Sequence, residues 1–463
     1  MTPAPQLKAL LTRDDTLAAL ETLAADAQSE LILAFRSFAP DTPLQTERLR
    51  ELGLSTWTDL IPWLTRRGVR LFVAFGDDDP LLDSARHRRA WLTASGFANV
   101  AQGDAQILCA PHGQQAGAVW RWRLRGPLRR ALKRLRQDEP RHLTMPQRAT
   151  LKGTHPLRSQ HINQSFAIAD GERALIGGFS LDARRSDTAW HDVAALIEDA
   201  DFAGALRAHF ADSWAAAIAT KAPPLATPAR PFHSVTRRQS RPELRLLRTL
   251  SDPRTDPFRL TAQPRDTSFA TQLARHFAAA RDSVYIETTA FRDAALTEAL
   301  TRAATSAPDL NVVLILDPRA DRLPLAGAAG GVNHARALQD AQLSRLCRAF
   351  GSRLTILTQA LGQAPATGPD PLPGRLAVID RTFAILGSHV LTRRALALDT
   401  EASVLVRNPS FAADLLDRRA QHWLGQTPDS FSASAWRQAK APLEAVTPPS
   451  ARPLRHRLPD ILF

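Results

Sequence analysis

The sequence predicts an α/β protein made of two tandem copies of one domain, each a mixed sheet covered by helices, the pair related by a pseudo-twofold axis. Three observations predict it. The stretch QSFAIADGERALIGGFSLD, residues 164–182, returns as GRLAVIDRTFAILGSHVLT, residues 374–392. Apolar strand-like runs alternate with helical runs in both halves, the pattern of a sheet with helices on its faces. A Pro-rich segment, KAPPLATPARP from Lys221 to Pro231, separates the copies. The 463 residues therefore divide into an N-terminal domain over 1–220, a linker over 221–240 and a C-terminal domain over 241–463, in keeping with roughly 150 residues per domain.

Taken in order, SELILAFRSF from Ser29 to Phe38 reads as an apolar strand and is matched by DSVYIETTAF from Asp282 to Phe291. Each leads through a helix to a second strand, VRLFVAFGDDDP from Val69 and NVVLILDPR from Asn311. The continuous apolar character of these runs suits a strand buried on both faces. From Arg121 to Arg136 the chain reads RWRLRGPLRRALKRLR, with eight basic residues (Arg121, Arg123, Arg125, Arg129, Arg130, Lys133, Arg134 and Arg136) and no acidic one. Leu128, Leu132 and Leu135 recur at helical spacing after Pro127, so a basic amphipathic helix is expected. Two readings stay open: a face that lies on an anionic membrane or grips a phosphate backbone, and a solvated face packed by its leucines.

The repeat is ordered. Asp170 precedes Gly177 by seven residues, and Asp380 precedes Gly387 by the same interval. An acidic residue then opens an apolar run in each copy: Asp192, fifteen residues after Gly177, and Glu401, fourteen after Gly387.

Charge and composition limit the function classes. With 59 Lys and Arg against 46 Asp and Glu the chain carries +13, which favours anionic partners such as acidic lipid or nucleic acid. One Tyr and 6% aromatic residues offer few platforms for base stacking, which tilts the choice toward lipid. No apolar run approaches the roughly 18 residues of a membrane span, and MTPAPQLKALLTRDD lacks the parts of a secretory signal, so cytoplasmic residence is expected. Cys109 and Cys347 lie far apart without metal-ligand or redox spacing and read as free buried thiols. No metal and no cofactor is expected.

Ordered and duplicated in this way, the chain resembles the phospholipase D superfamily, in which two similar α/β domains share one phosphodiesterase site. The strand YIETTAF is similar to the family's YIENQYF, WHD follows the first motif, and GS with LDTE follows the second. The family signature, His-x-Lys-x4-Asp followed by a glycine pair or Gly-Ser, supplies a nucleophilic His, an acid His and phosphate-holding lysines. Counting back from Asp170 and Asp380, the two His positions hold Asn163 and Pro373, and the Lys positions hold Ser165 and Arg375. The degenerate motifs span 163–182 and 373–392.

What the resemblance implies is a protein of that ancestry which binds a phosphate-bearing ligand, a phospholipid headgroup at the inner membrane surface, with the phosphohistidine chemistry lost. Asn163, Ser165, Ser180, Arg375 and Ser388 are the expected phosphate-binding residues, and Asp192 and Glu401 read as the former orienters of the missing imidazoles, kept as polar packing. Val390 stands where the family usually has Asn. His161, two residues before Asn163, points to the same face of an extended strand and reads either as a site residue or as a solvent-facing loop residue; His191 and His389 read as polar packing. Two alternatives stay open: an active phosphodiesterase or phosphatidyl transferase using His161 or water, and a nuclease-like or nucleic-acid-binding relative.

Overall fold

The computed structural model describes residues 5–36, 38–153, 157–179, 193–233, 241–317, 331–359, 374–438 and 443–446. The first sheet holds β1 (Gln6–Leu10), β2 (Glu30–Phe35), β3 (Arg70–Asp77), β4 (Ala105–Pro111), β5 (Phe166–Ala169), β6 (Arg173–Gly177) and β7 (Ala194–Glu198), in the order β1-β7-β6-β5-β2-β3-β4. The second holds β8 (Leu244–Asp252), β9 (Gln263–Asp266), β10 (Ser283–Thr288), β11 (Asn311–Leu316), β12 (Leu354–Gln359), β13 (Leu376–Ile379), β14 (Phe383–Gly387), β15 (Glu401–Arg407) and β16 (Leu443–Ala445). Its central run β8-β15-β14-β13-β10-β11-β12 repeats the first order strand for strand, and β9 and β16 extend its two edges. The sheets are mixed as expected: β2, β3 and β4 are parallel, like β10, β11 and β12, while the repeat supplies antiparallel partners.

The expected strands are there because nearly every side chain on them is buried on one face or the other. All six residues of β2 and all six of β10 are buried, which an apolar strand covered on both sides requires. Between the sheets one continuous core joins Ile32, Phe72 and Ile176 of the first to Tyr285, Val313 and Val404 of the second. Helices Ala200–Ala219 and Pro409–Leu424 contribute Phe210 and Trp214, and Leu416 and Trp423, to that core. Each follows the last strand of its repeat and starts on a side-chain cap, Asp199 to the Phe202 amide and Asn408 to the Phe411 amide.

The duplicated stretches are the hairpins β5–β6 and β13–β14. Their three-residue loops, 170–172 and 380–382, place Asp170 and Gly171, and Asp380 and Arg381, at positive φ. Asp170 then accepts the amides of Gln28, Ser29 and Glu30, and Asp380 those of Arg281, Asp282 and Ser283. Both motif aspartates thus tie their hairpin to the segment entering the adjacent strand. The Pro-rich segment runs along the edge of the first sheet, where Leu225 and Thr227 amides donate to Ile107 and Ala105 carbonyls of β4.

The basic stretch forms helices Ala118–Arg123 and Arg125–Gln137. Pro127 sits inside the first turn rather than before it, where its missing amide costs nothing. Leu128 and Leu135 are buried in a separate small core with Leu81, Leu143, Leu157 and Leu260, and Leu132 is half-buried against it. Cys109 is buried, whereas Cys347 is only half-buried, a correction to the expected pair of buried thiols; both are free. Among the described residues no helix is long and apolar enough to cross a membrane.

Candidate functional site at the seam between the halves

Residues 161–163 cross from one half to the other. Ile162 pairs in parallel with Thr400 through the Asn163 amide to the Thr400 carbonyl and the Thr400 amide to the His161 carbonyl, both 2.9 Å. The His161 amide donates to Asp399 Oδ1 at 2.9 Å, and Arg394 Nε holds the other Asp399 oxygen at 2.9 Å. Gly76, near the end of β3, makes this crossing sterically feasible, since a Cβ there would overlap the Ile162 carbonyl. Gly178 and Gly374 have the same role at the seam: a Cβ would meet the Gly387 carbonyl and Arg375 at the first, and Val193 and Glu287 at the second.

His161 is therefore buried, not a solvent-facing loop residue, because its backbone is paired and its ring is enclosed. Its Nδ1 lies against Asp78 Oδ1, just beyond β3, and Arg36 Nη2 is 3.6 Å from the same oxygen. Burial alone pushes the Asp78 carboxyl up, but His161 and Arg36 outweigh it and hold the group far below the usual carboxylate range. Burial works against the charge on Arg36 too, yet Asp78, Asp83, Asp399 and Glu401 together keep its pKa above the ordinary value. Arg86 is pulled down to about 10 by Arg36 and by burial. Among the described residues buried Arg36 Nη2 makes no hydrogen bond.

Asn163 occupies the seam as well, with Nδ2 donating to Glu401 Oε1 at 2.8 Å and Oδ1 accepting from Arg36 Nη1 at 3.3 Å. Ser388 Oγ bonds the other Glu401 oxygen, and Arg375 Nη1 donates to the Ser388 carbonyl at 2.7 Å. Burial drives the Glu401 carboxyl up to about 8 against the opposing pull of Arg375, Ser388 and Asn163. The structure thus brings together His161, Asn163, Arg375, Ser388 and Glu401. Ser165 is buried apart from that hydrogen-bond set, its Oγ donating to the Phe179 carbonyl at 3.1 Å. Ser180, His191, Asp192 and Pro373 lie outside the described residues. Asp170 and Asp380 are engaged in the hairpins.

His389 is packing, as expected: it stacks on Phe269 with ring centroids 3.6 Å apart, and burial keeps its pKa well below the ordinary value. Behind the second hairpin, Glu287 of β10 pairs bidentately with Arg419 at 2.7 Å and accepts the Gly374 amide at 2.8 Å, fixing where the second motif starts. Sequence reasoning missed Arg36, Asp78, Arg86 and Asp399. The signal was present in AFRSF and FGDDDP, because ligands of open α/β sheets bind beyond the carboxyl ends of the parallel strands and both pieces sit there. An imidazole set against a carboxylate through Nδ1, with guanidinium groups nearby, can help to receive an oxyanion. Among the described residues no group of three or more His, Cys, Asp or Glu is placed to hold a metal.

Comparison with known proteins agrees with this architecture. The family described as cardiolipin synthase, PLD-like domain, matches residues 273–423. No curated protein matches the sequence. The crystal structure of phosphatidylserine synthase from Haemophilus influenzae Rd KW20 superimposes with a TM-score of 0.53 at 12% identity, covering 95% of this chain and 87% of that one, a likeness of fold. Two shorter structures also align: the phospholipase D family member Nuc from Salmonella typhimurium, at TM-score 0.27, 15% identity, 41% of this chain and 98% of that one, and NucT from Helicobacter pylori, at TM-score 0.26, 17% identity, 35% and 90%.

Proposed function

From the premise that this chain belongs to the phospholipase D superfamily, we propose that it binds a phosphate-bearing ligand, a phospholipid headgroup, at the seam, without the phosphohistidine chemistry of two paired imidazoles. The observation that carries the reading is the buried Arg36 Nη2, which makes no hydrogen bond among the described residues and lies beside His161, Asn163 and Asp78. A guanidinium in that setting is suited to a planar, charge-assisted grip on phosphate oxygens. Arg375 and Asn163 supply further donors from the two motif positions, and Ser388 holds Glu401 behind them. The net charge of +13 and the scarcity of aromatic residues favour an anionic lipid over a nucleic acid, and the protein works at the cytoplasmic membrane face on this reading.

Calorimetric titration with inorganic phosphate and with glycerol phosphate tests it. Replacing Arg36 with Met weakens binding by about one to two decades, as loss of a charge-assisted bond implies, and Arg375→Met does so to a similar or smaller extent. Unaltered binding in both variants overturns the reading.

A second reading is favoured by the His161–Asp78 pair: hydrolysis of a phosphodiester with His161 as the one imidazole. Turnover of phosphatidylglycerol that survives repurification and vanishes in both His161→Ala and Asp78→Asn supports this second reading over the first. No turnover above background leaves the binding role.

A further inference from the structure

Burial of Leu128 and Leu135 means that the basic helix Arg125–Gln137 has no apolar face left to lay into a bilayer; its outward face carries Arg129, Arg130, Lys133, Arg134 and Arg136, all exposed. Charge alone attracts such a surface to acidic lipid but gives it no depth. The apolar contribution lies at the helix's N-terminal end and comes from both halves of the chain. Val119 is 41% exposed, Trp122 64% and Phe258 72%, against an interior where residues of these types are almost all enclosed. They are brought together by backbone contacts between 117–120 and 257–259: the Gly117 amide to the Arg259 carbonyl at 2.8 Å, the Val119 amide to the Pro257 carbonyl at 3.2 Å, and Trp120 Nε1 to the Phe258 carbonyl at 2.9 Å. Gly117 permits the approach, since a Cβ would overlap the Pro257 carbonyl.

We infer that Val119, Trp122 and Phe258 form a wedge that enters the interfacial layer of an anionic bilayer while the basic helix beside it contacts the headgroups. The inference deepens the headgroup reading and rests on it for the kind of surface. Exposed Trp and Phe beside Arg and Lys is the composition of peripheral membrane anchors. A nucleic acid fits less well, because the Trp122 ring carries the Arg125 guanidinium at 4.7 Å and the Trp120 ring that of Arg123 at 5.6 Å, so those faces are not open to bases, and Val119 offers a base nothing. Asp256 is the acidic residue nearest in sequence, and its carboxylate is engaged by the Phe258 amide at 3.0 Å. The wedge also leads to the seam: the Ala116 amide donates to the Leu157 carbonyl at 2.8 Å, and the run from Leu157 continues directly to His161. Seating the wedge therefore seats the residues that approach the ligand.

Sedimentation with vesicles of equimolar phosphatidylglycerol and phosphatidylcholine tests this. The double variant Trp122→Ala, Phe258→Ala loses vesicle affinity by about tenfold or more, with unchanged circular dichroism and Tm because both side chains are exposed. Brominated acyl chains quench the emission of the wild-type protein more than that of Trp122→Phe. Arg36→Met loses affinity for inorganic phosphate whereas the double variant retains it at the wild-type level, so failure of the wedge and failure of the seam reading are separable. Undiminished vesicle binding in the double variant, equal quenching, or tighter binding of a duplex oligonucleotide than of vesicles overturns the inference.

Discussion

Asn163 Nδ2 donates to Glu401 Oε1 at 2.8 Å, joining the residue that precedes the first hairpin to the acidic residue that opens β15 in the second half. In this seam the Glu401 carboxyl is held by an amide and a serine, and burial raises its pKa to about 8. Its unfolded value is near 4.5, so below that pH both states are protonated and the group is neutral to stability change. Between about 4.5 and 8 the unfolded chain ionises while the folded carboxyl stays protonated, and stability falls as pH rises. Glu401→Gln removes this penalty. Relative to wild type, the variant gains up to about 1.4 kcal/mol per pH unit across that window, read as a widening Tm difference. A gap that does not vary with pH shows that the folded carboxylate is ionised throughout.

Asp170 and Asp380 hold structure rather than ligand. Replacing either with Ala removes the acceptor for three backbone amides and costs about 1–2 kcal/mol, the lower end for charge-assisted bonds because both sites are part-exposed. Urea denaturation should show the loss in each variant, with phosphate affinity unchanged. A fall in affinity without a fall in stability would return these residues to the site.

Gly76→Ala inserts a methyl group where the Ile162 carbonyl lies. The crossing segment must shift, carrying His161 from Asp78 and Asn163 from Glu401, at a cost of about 1–3 kcal/mol. Phosphate binding therefore weakens in a variant whose substitution is one residue inside β3 and has no donor to lose. Wild-type affinity in that variant would show that the position of 161–163 does not matter.

Arg419→Met leaves Glu287, whose pKa is held at about 2 with Arg419 the main opponent of burial, fully enclosed and without its ion-pair partner. The expected loss is about 3–5 kcal/mol by chemical denaturation. Adding Glu287→Gln to that variant recovers part of it, because an enclosed amide costs less than an enclosed charge. If the double variant is no better than the single, the Tyr285 and Trp423 contacts satisfy the carboxylate by themselves.

The duplication made the architecture legible, since strand order in the second sheet follows from the first once the hairpin repeat is recognised. Half of the seam was legible for the same reason: Asn163, Arg375, Ser388 and Glu401 are reached by counting within a motif. Arg36 and Asp78 were not, because they belong to no repeated spacing. They meet His161 only after Ile162 crosses Gly76 to pair with Thr400, and no local pattern encodes a pairing over 238 residues. The basic helix shows the same division. Its leucine register is a local property and could be read, whereas the exposure of Trp122 beside Phe258 depends on a segment from beyond the linker.

That separation of 238 residues also orders events in time. During synthesis the first sheet can be complete, hairpin turn and all, while Asp399, Thr400 and Glu401 are not yet made, and until then residues 161–163 have no strand to lie against. Closing so long a loop is entropically slow compared with forming either hairpin. The seam is thus among the last parts of the molecule to acquire its shape, and a nascent chain carries folded sheet before His161 and Asn163 have the partners that fix them.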